Sequence, residues 1–274
     1  MLTFDAFSFY NELDLLELRL NELSDVVDFF VISEATRTHV GNPKRLYYRD
    51  NKERFAEFED KIIHVIVDDM PIAPADIENE RGANWLESDY QRSDNWVRER
   101  FQRNAIMRGL VDADPDDMII IGDADEIMRA SAVEWAKDNI DKGSIAIGQT
   151  MYSYYLNVRS SIPWWGSKVI QKKNITTPSE DRFHTLLPQG YSDGGWHWNF
   201  IGNAEAIRLK IRSYAHSEFD TPDILLKVDE RLNNLQDVLG RKDLYWPVPI
   251  DETFPKYLVD NQDKFSHLIY KVNE

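Results

Sequence analysis

The residues whose types and spacing point to chemistry are Asp123, Asp125 and Glu126, in the run Gly122-Asp123-Ala124-Asp125-Glu126 that follows Asp117-Met118-Ile119-Ile120-Ile121. Alternating carboxylates at the mouth of a strand can converge on one hard cation, both directly or one of them through water. Mg²⁺ or Mn²⁺ takes oxygen ligands and shares its shell with phosphates, so the protein need supply only a few carboxylates. That chemistry suits a nucleoside diphosphate. The same turn also serves as a solvated cap on the next helix, and spacing alone does not separate the two uses. Position favours the first, because ligands of open α/β sheets bind where the strands' carboxyl ends open into a crevice.

The turn needs a sheet behind it, and the chain carries the pattern of one. Residues 2–9 read as a strand, and from Asn11 onward Leu13, Leu16, Leu20 and Leu23 recur at helical spacing. The runs 26–33 and 61–67 are apolar and β-branched, as in strands covered on both faces, with a polar helical stretch over 51–60 between them. Asp94 can cap a helix reaching about Leu110, with Val97, Phe101 and Ala105 on one stripe, Ile106 and Leu110 widening it, and Gly109 near its end. Residues 117–122 then form a buried strand. The succession predicts an α/β fold with a mostly parallel, Rossmann-like central sheet flanked by helices. Beyond the turn the pattern gives a helix over 132–140, a strand over 144–150 and an aromatic strand or hairpin arm over 151–158. Functional loops rich in Trp, Gly and Pro follow over 163–198, then a helix from about Glu205 to Tyr214.

Composition narrows the partners. With 48 acidic and 32 basic residues the formal charge is -16, which repels a phosphate backbone and argues against nucleic acid. A small anionic substrate remains possible where a cation or local Arg and Lys reverse the field. The absence of cysteine excludes disulfides, thiolate metal sites and a Cys nucleophile. No apolar run approaches membrane-spanning length and the N-terminus carries no basic leader, so the expectation is a soluble, cytoplasmic protein. Eight Trp, twelve Tyr and thirteen Phe favour a ring-shaped ligand such as a carbohydrate, although most aromatics fill cores.

Several blocks occur together and in order: Phe9-Tyr10-Asn11-Glu12-Leu13-Asp14-Leu15-Leu16 through Leu23, Val31-Ile32-Ser33-Glu34-Ala35-Thr36-Arg37-Thr38, Gln102-Arg103-Asn104-Ala105-Ile106 with Gly109-Leu110, residues 119–127, and Gly194-Gly195-Trp196-His197-Trp198 leading to Ala204-Glu205-Ala206-Ile207. In this combination the chain resembles glycosyltransferase family 17, in the compact, unanchored form found in bacteria and viruses. The resemblance implies a GT-A type fold forming a single catalytic domain over residues 1–274, with 1–127 as the nucleotide-sugar half and 128–274 as the acceptor-side half. It also implies a divalent metal, and inverting transfer of a sugar, N-acetylglucosamine, from UDP-GlcNAc to a glycan or other hydroxyl acceptor.

Carried onto residues, the resemblance makes Asp125 the metal-bearing carboxylate, helped by Asp123 through the ribose or through water. His216 becomes the third ligand, with His197 competing for that role or bonding a phosphate. Glu205 is the leading catalytic base, with Glu126 and Asp193 behind it; an ordinary first-turn helix carboxylate is the other reading of Glu205. Asn11, Glu34 and Thr38 fall at nucleotide-edge positions. Arg103 and Asn104 either brace the acidic turn, reach the donor or sit on a solvated face. Of Trp164, Trp165, Trp196 and Trp198, Trp196 is the one expected to stack on a sugar. Competing classes are a metal-dependent phosphoester hydrolase or nucleotidyltransferase using the same turn, a metal-free glycosidase working with two carboxylates, and a non-catalytic carbohydrate-binding module.

Overall fold

The computed structural model describes residues 1–81, 93–183 and 189–271. Strands β1 (Thr3–Phe9), β2 (Phe29–Ala35), β3 (Ile62–Val67) and β4 (Met118–Asp123) pair in parallel, in the spatial order β3-β2-β1-β4. After β5 (Glu126–Met128) come β6 (Ile145–Ile147), β7 (Gln149–Ser153), β8 (Val158–Trp164), β9 (Lys168–Gln171), β10 (Gln189–Tyr191), β11 (Gly195–Asn199) and β12 (Tyr245–Pro247). Strand β9 runs antiparallel between β4 and β6, and β10 closes that edge, so the main sheet has seven strands in the order β10-β6-β9-β4-β1-β2-β3. The expected parallel core is there. Three strands from beyond residue 127 complete it, and the antiparallel member makes the sheet mixed.

Alternation along the strands feeds two cores. Phe7, Phe30, Ile32, Met118 and Ile120 face Leu16, Leu20 and Leu23 of the helix Leu13–Leu23, while Ala6, Val31, Ile119 and Ile121 face Ala105, Ile106 and Leu110. Each fully buried Leu contributes about 1.5–3 kcal/mol. The expected helix 94–110 is α-helical over Asp94–Asn104 and then tightens to 3₁₀ over Ala105–Gly109. A Cβ at Gly109 would come 2.5 Å from Val31 Cγ1, so only glycine lets this end press onto β2. The strand expected over 26–33 begins later, because the amides of Val26 and Val27 still bond the Leu23 carbonyl at 3.0 and 2.9 Å and close the preceding helix.

The sequence did not reveal a second sheet, ordered β12-β8-β7-β11-β5. It packs Ile127, Tyr152, Trp196 and Trp198 against Leu15 and Leu18 and against Phe254, Leu258 and Phe265 near the C-terminus. The helix Leu13–Leu23 thus lies between both sheets, with one set of leucines on each. The stretch 163–198 expected as loops carries β9, β11 and the helix Pro178–Phe183; its residues 184–188 lie outside the described ones. Among the described residues no helix is long and apolar enough to cross a membrane.

Candidate active site

β4 ends at Asp123, the chain turns through Ala124 and Asp125, and β5 starts at Glu126. A fully buried arginine holds this turn from below. Arg19, on the helix between the sheets, donates through Nη1 to the carbonyls of Asp123 and Glu126, each at 2.8 Å. Its other nitrogens grip Asp5 of β1 at 2.6 and 2.5 Å, and its guanidinium lies over the Phe7 ring. The Trp198 amide ties the Asp125 carbonyl at 2.8 Å. With these carbonyls satisfied on the protein side, the turn carries Asp123 and Asp125 on a cavity of about 510 Å³.

Each carboxylate has its own cations. Asp123 takes Arg103 Nη1 on one oxygen and Arg182 Nη2 on the other, both at 2.7 Å. Burial would raise its pKa, but the two guanidinium groups outweigh burial and hold it well below the usual carboxylate range. Asp125 receives Lys210 Nζ on Oδ2 at 2.8 Å, while Oδ1 faces His197 Nε2 at 3.6 Å. Burial and Lys210 push His197 down against the pull of Asp125, Glu126 and Asp123, so its imidazole is neutral. Lys210 is raised, because Asp125 and Glu12 outweigh its burial.

Glu126 points the other way, into the protein. It is fully buried and accepts from Arg182, from Trp164 Nε1 at 2.6 Å, from Ser167 Oγ at 3.1 Å and from the Asp123 amide at 3.2 Å. Arg182 overcomes the upward push of burial and keeps it ionised. Gly166 must be glycine here: a Cβ would sit 2.2 Å from Trp164 Nε1 and 2.5 Å from Glu126 Oε1. Asn104 Oδ1 accepts the Ser179 amide at 3.0 Å, so the helix bearing Arg103 also seats the helix that bears Arg182.

The cavity reverses the charge of the chain. Arg37, Lys44, Arg103, Lys168, Arg182 and Lys210 line it against Glu12, Glu99, Asp123 and Asp125, six cations to four anions in a protein of formal charge -16. Lys168 donates to the Trp165 carbonyl at 2.5 Å; burial and the neighbouring Arg182 lower it to about 8, so it remains a cation at neutral pH. Glu12 accepts the amides of Tyr10 and Asn11 at 3.0 and 2.9 Å, and burial raises it above the usual range against the pull of Lys210.

Of the residues expected at the site, Asp123, Asp125, Arg103, Thr38 and His216 line this cavity. His197 stands directly behind Asp125. His216 packs edge-on against Trp96 at 4.8 Å and its Nδ1 pairs with Glu218 at 2.6 Å. Others lie elsewhere. Glu205 has a side chain 81% exposed and pairs with Arg208 outside the cavity, and Asp193 pairs with Arg129 on the surface. Glu34 is buried behind the cavity, where it accepts the amides of Tyr48 and Arg49 and contacts His64 at 3.0 Å. Asn11 is outside, between the cavity-lining Tyr10 and Glu12. Trp196 is 2% exposed, stacked on Trp198 at 5.7 Å and capped by Arg129, so it belongs to the core and offers no face to a sugar.

The fit to a divalent cation is therefore selective. Asp123, with both oxygens held by guanidinium groups, does not fit as a direct ligand. Asp125 does, since only Oδ2 is taken by a cation, Lys210, while Oδ1 has the neutral His197 imidazole at 3.6 Å, and a hard cation can take one protein carboxylate and fill its shell with water and phosphate. Among the described residues no group of three His, Asp or Glu is gathered to hold an ion by itself.

The arrangement defines a mixed α/β protein with a cation-lined cavity at the carboxyl ends of its parallel strands. The sequence profile of Glycosyltransferase family 17 matches residues 2–256, and the chain belongs to that family. It is similar to the β-1,4-mannosyl-glycoprotein 4-β-N-acetylglucosaminyltransferases of Rattus norvegicus and Homo sapiens, at 26% identity, and of Mus musculus, at 27%, in each case over 97% of this chain. The chain spans about half the length of these relatives, 54%. Among solved structures, HddC from Yersinia pseudotuberculosis aligns with 73% of this chain and 89% of its own, at a TM-score of 0.33 and 12% identity.

Proposed function

We propose that the chain is an inverting glycosyltransferase of GT-A type that moves a sugar, N-acetylglucosamine, from a UDP donor to a hydroxyl of a glycan. The observation that carries the reading is the acidic turn opening from the end of β4 into a cavity where cations outnumber carboxylates. Family membership supports transfer over hydrolysis, and the names of the mammalian relatives support the choice of sugar. The order β3-β2-β1-β4 followed by antiparallel β9 supports the GT-A arrangement.

In the reaction the acceptor oxygen attacks the anomeric carbon as the bond to the diphosphate breaks, and the electron pair of that bond leaves on the β-phosphate oxygen. Lys168 and Lys210 stand where that charge grows, and fixed charges in a site of low dielectric stabilise it without reorganisation. Asp125 would hold Mn²⁺ or Mg²⁺, which when bound adds positive charge at the same diphosphate. Asp123 fixes Arg103 and Arg182 on the turn. The acceptor proton goes to Glu12, the cavity-lining carboxylate that burial has made more basic; Glu205, outside the cavity, is replaced in that role.

The test is incubation with a panel of UDP-sugars, with Mn²⁺ and with chelator, scoring UDP release and its dependence on glycan acceptors. Release from UDP-GlcNAc that rises with acceptor supports the reading. Acceptor-independent cleavage of phosphate esters, with no UDP-sugar turned over, would replace it by the hydrolase.

A further inference from the structure

We infer that Trp165 is the floor of an acceptor subsite, a platform against which the pyranose ring that receives the sugar is stacked; this rests on the transferase reading above. Of the four tryptophans near the turn, Trp196 and Trp198 are core and Trp164 is bound to Glu126 and packed on His197. Trp165 alone among them turns outward, 45% exposed, while lining the cavity.

Its exposure is built rather than incidental. The outer edge of its indole lies across two glycines. A Cβ added at Gly148 would meet ring carbons at 2.9 Å, and one at Gly190 would meet them at 3.4 Å. Any side chain at Gly148 would lift the ring. From the other side Lys168 ties the Trp165 carbonyl. A large apolar ring is thus seated with its outer edge across glycine positions and nearly half of its surface open, an exposed aromatic surface of the kind that takes the C–H face of a sugar.

Topology says which sugar. The ends of β1 and β2 bring Tyr10, Thr38 and His39 to one side of the acidic turn. Trp165 lies on the opposite side, because Ile121 of β4 pairs with Lys168 at the start of β9, three residues after Trp165. With the diphosphate at the turn and the nucleoside over β1 and β2, what lies beyond the anomeric carbon, toward Trp165, is the acceptor, its reacting hydroxyl turned back to the turn, where Glu12 interacts with Lys210 and Asp125.

The experiment compares Trp165→Ala, Trp165→Tyr and Gly148→Val with wild type. UDP affinity is read by calorimetry, and binding of methyl β-mannoside, methyl β-glucoside and methyl β-galactoside by saturation-transfer NMR in the presence of UDP, a readout that needs no turnover. With whichever glycoside is glycosylated, Trp165→Ala should raise the acceptor KM about 10-fold or more, and Trp165→Tyr should restore most of the loss. Gly148→Val, which keeps the indole but displaces it, should fall between them. UDP affinity should stay within about 2-fold of wild type. Unchanged glycoside signal in Trp165→Ala, or a fall in UDP affinity of the same size as the loss of glycoside, overturns the subsite. Failure of the wild type to bind UDP would instead remove the transferase reading beneath it.

Discussion

Two pairs of carboxylates meet at the end of β4 and have opposite fates. Asp5 and Glu126 lie under the turn, wholly buried, Asp5 closed off by Arg19 and Glu126 by Arg182, which also holds Asp123. Asp123 and Asp125 lie on the turn, with side chains 34% and 10% exposed at a cavity. The lower pair is committed to the protein. The upper pair is held by cations that a diphosphate can also use, so under the proposed function its charges would exchange partners when the donor binds. The difference between the two pairs lies in what can reach them, since all four are acids beside bases.

The largest effect should come from the lower layer. Asp5→Ala leaves Arg19 buried and unpaired beneath the turn, and breaking such a pair costs about 3–5 kcal/mol. Chemical denaturation should show that loss together with loss of activity. The double variant Asp5→Leu with Arg19→Met should recover much of the stability, since removing both charges also removes their desolvation cost. It should recover little activity, because the carbonyls of Asp123 and Glu126 lose the donor that orients them. Equal recovery of both would mean that Arg19 does not position the turn.

In the upper layer the prediction is loss of turnover without loss of fold. Glu12→Gln should lower kcat about 10²- to 10⁴-fold, the span of general-base catalysis, with an unchanged melting temperature. The raised pKa of Glu12 places the acid limb of the wild-type kcat/KM profile above that of an ordinary carboxylate, and the variant should flatten that limb. A profile that keeps its limb in Glu12→Gln would move the base elsewhere. Asp125→Asn should lower kcat by about 10²- to 10³-fold, the cost of one electrostatic contact to the transition state. Calorimetry should show that Mn²⁺ no longer strengthens its binding of UDP; if the ion still did so, Asp125 would not be the residue that bears it.

Much of this was legible in the sequence, and the failures have geometric causes. The strand before the turn and the leucine helix follow from periodicity, because both are buried on faces that repeat. The helix Ala204–Ser213 was also legible, but the choice of Glu205 picked the wrong side of it. Glu205 and Lys210 are five residues apart, about 140° around an α-helix, so one faces solvent when the other faces Asp125. Reading 194–198 as a loop hid a similar fact. In the strand β11 successive side chains alternate, which sends Trp196 and Trp198 to the core and His197 toward Asp125. Lys168, Arg182 and Lys210 carried no local signal of a site, since the carboxylates they face, Glu126 for Lys168 and Arg182 and Asp125 for Lys210, lie 42 or more residues away in the chain and a lone Lys or Arg reads as surface. Asp5 did carry one: an acid inside the apolar strand Thr3–Phe9 needs a buried cation, and Arg19 is the basic residue on the adjoining leucine helix.

The smallest effect separates the buried imidazoles from the acidic turn by pH. His39 lines the cavity, its Nε2 against Gln102 Oε1 at 3.1 Å, and burial holds it below the usual imidazole range against the pull of Glu99. A group with a depressed folded pKa contributes stability that is whole above its unfolded value, about 6.5 for His, and is lost as the pH falls through the folded one. Asp123 and Glu126 are depressed as well, so their contribution is whole above about pH 4 and is lost only in stronger acid. Thermal melts should accordingly fall in two stages: a shallow one starting below about pH 6.5, from the buried imidazoles, and a steeper one below about pH 4, when the carboxylates lose their arginines. His39→Gln should reduce the first stage and leave the second where it was. A variant in which both stages shifted together would show that His39 and the acidic turn titrate as one unit.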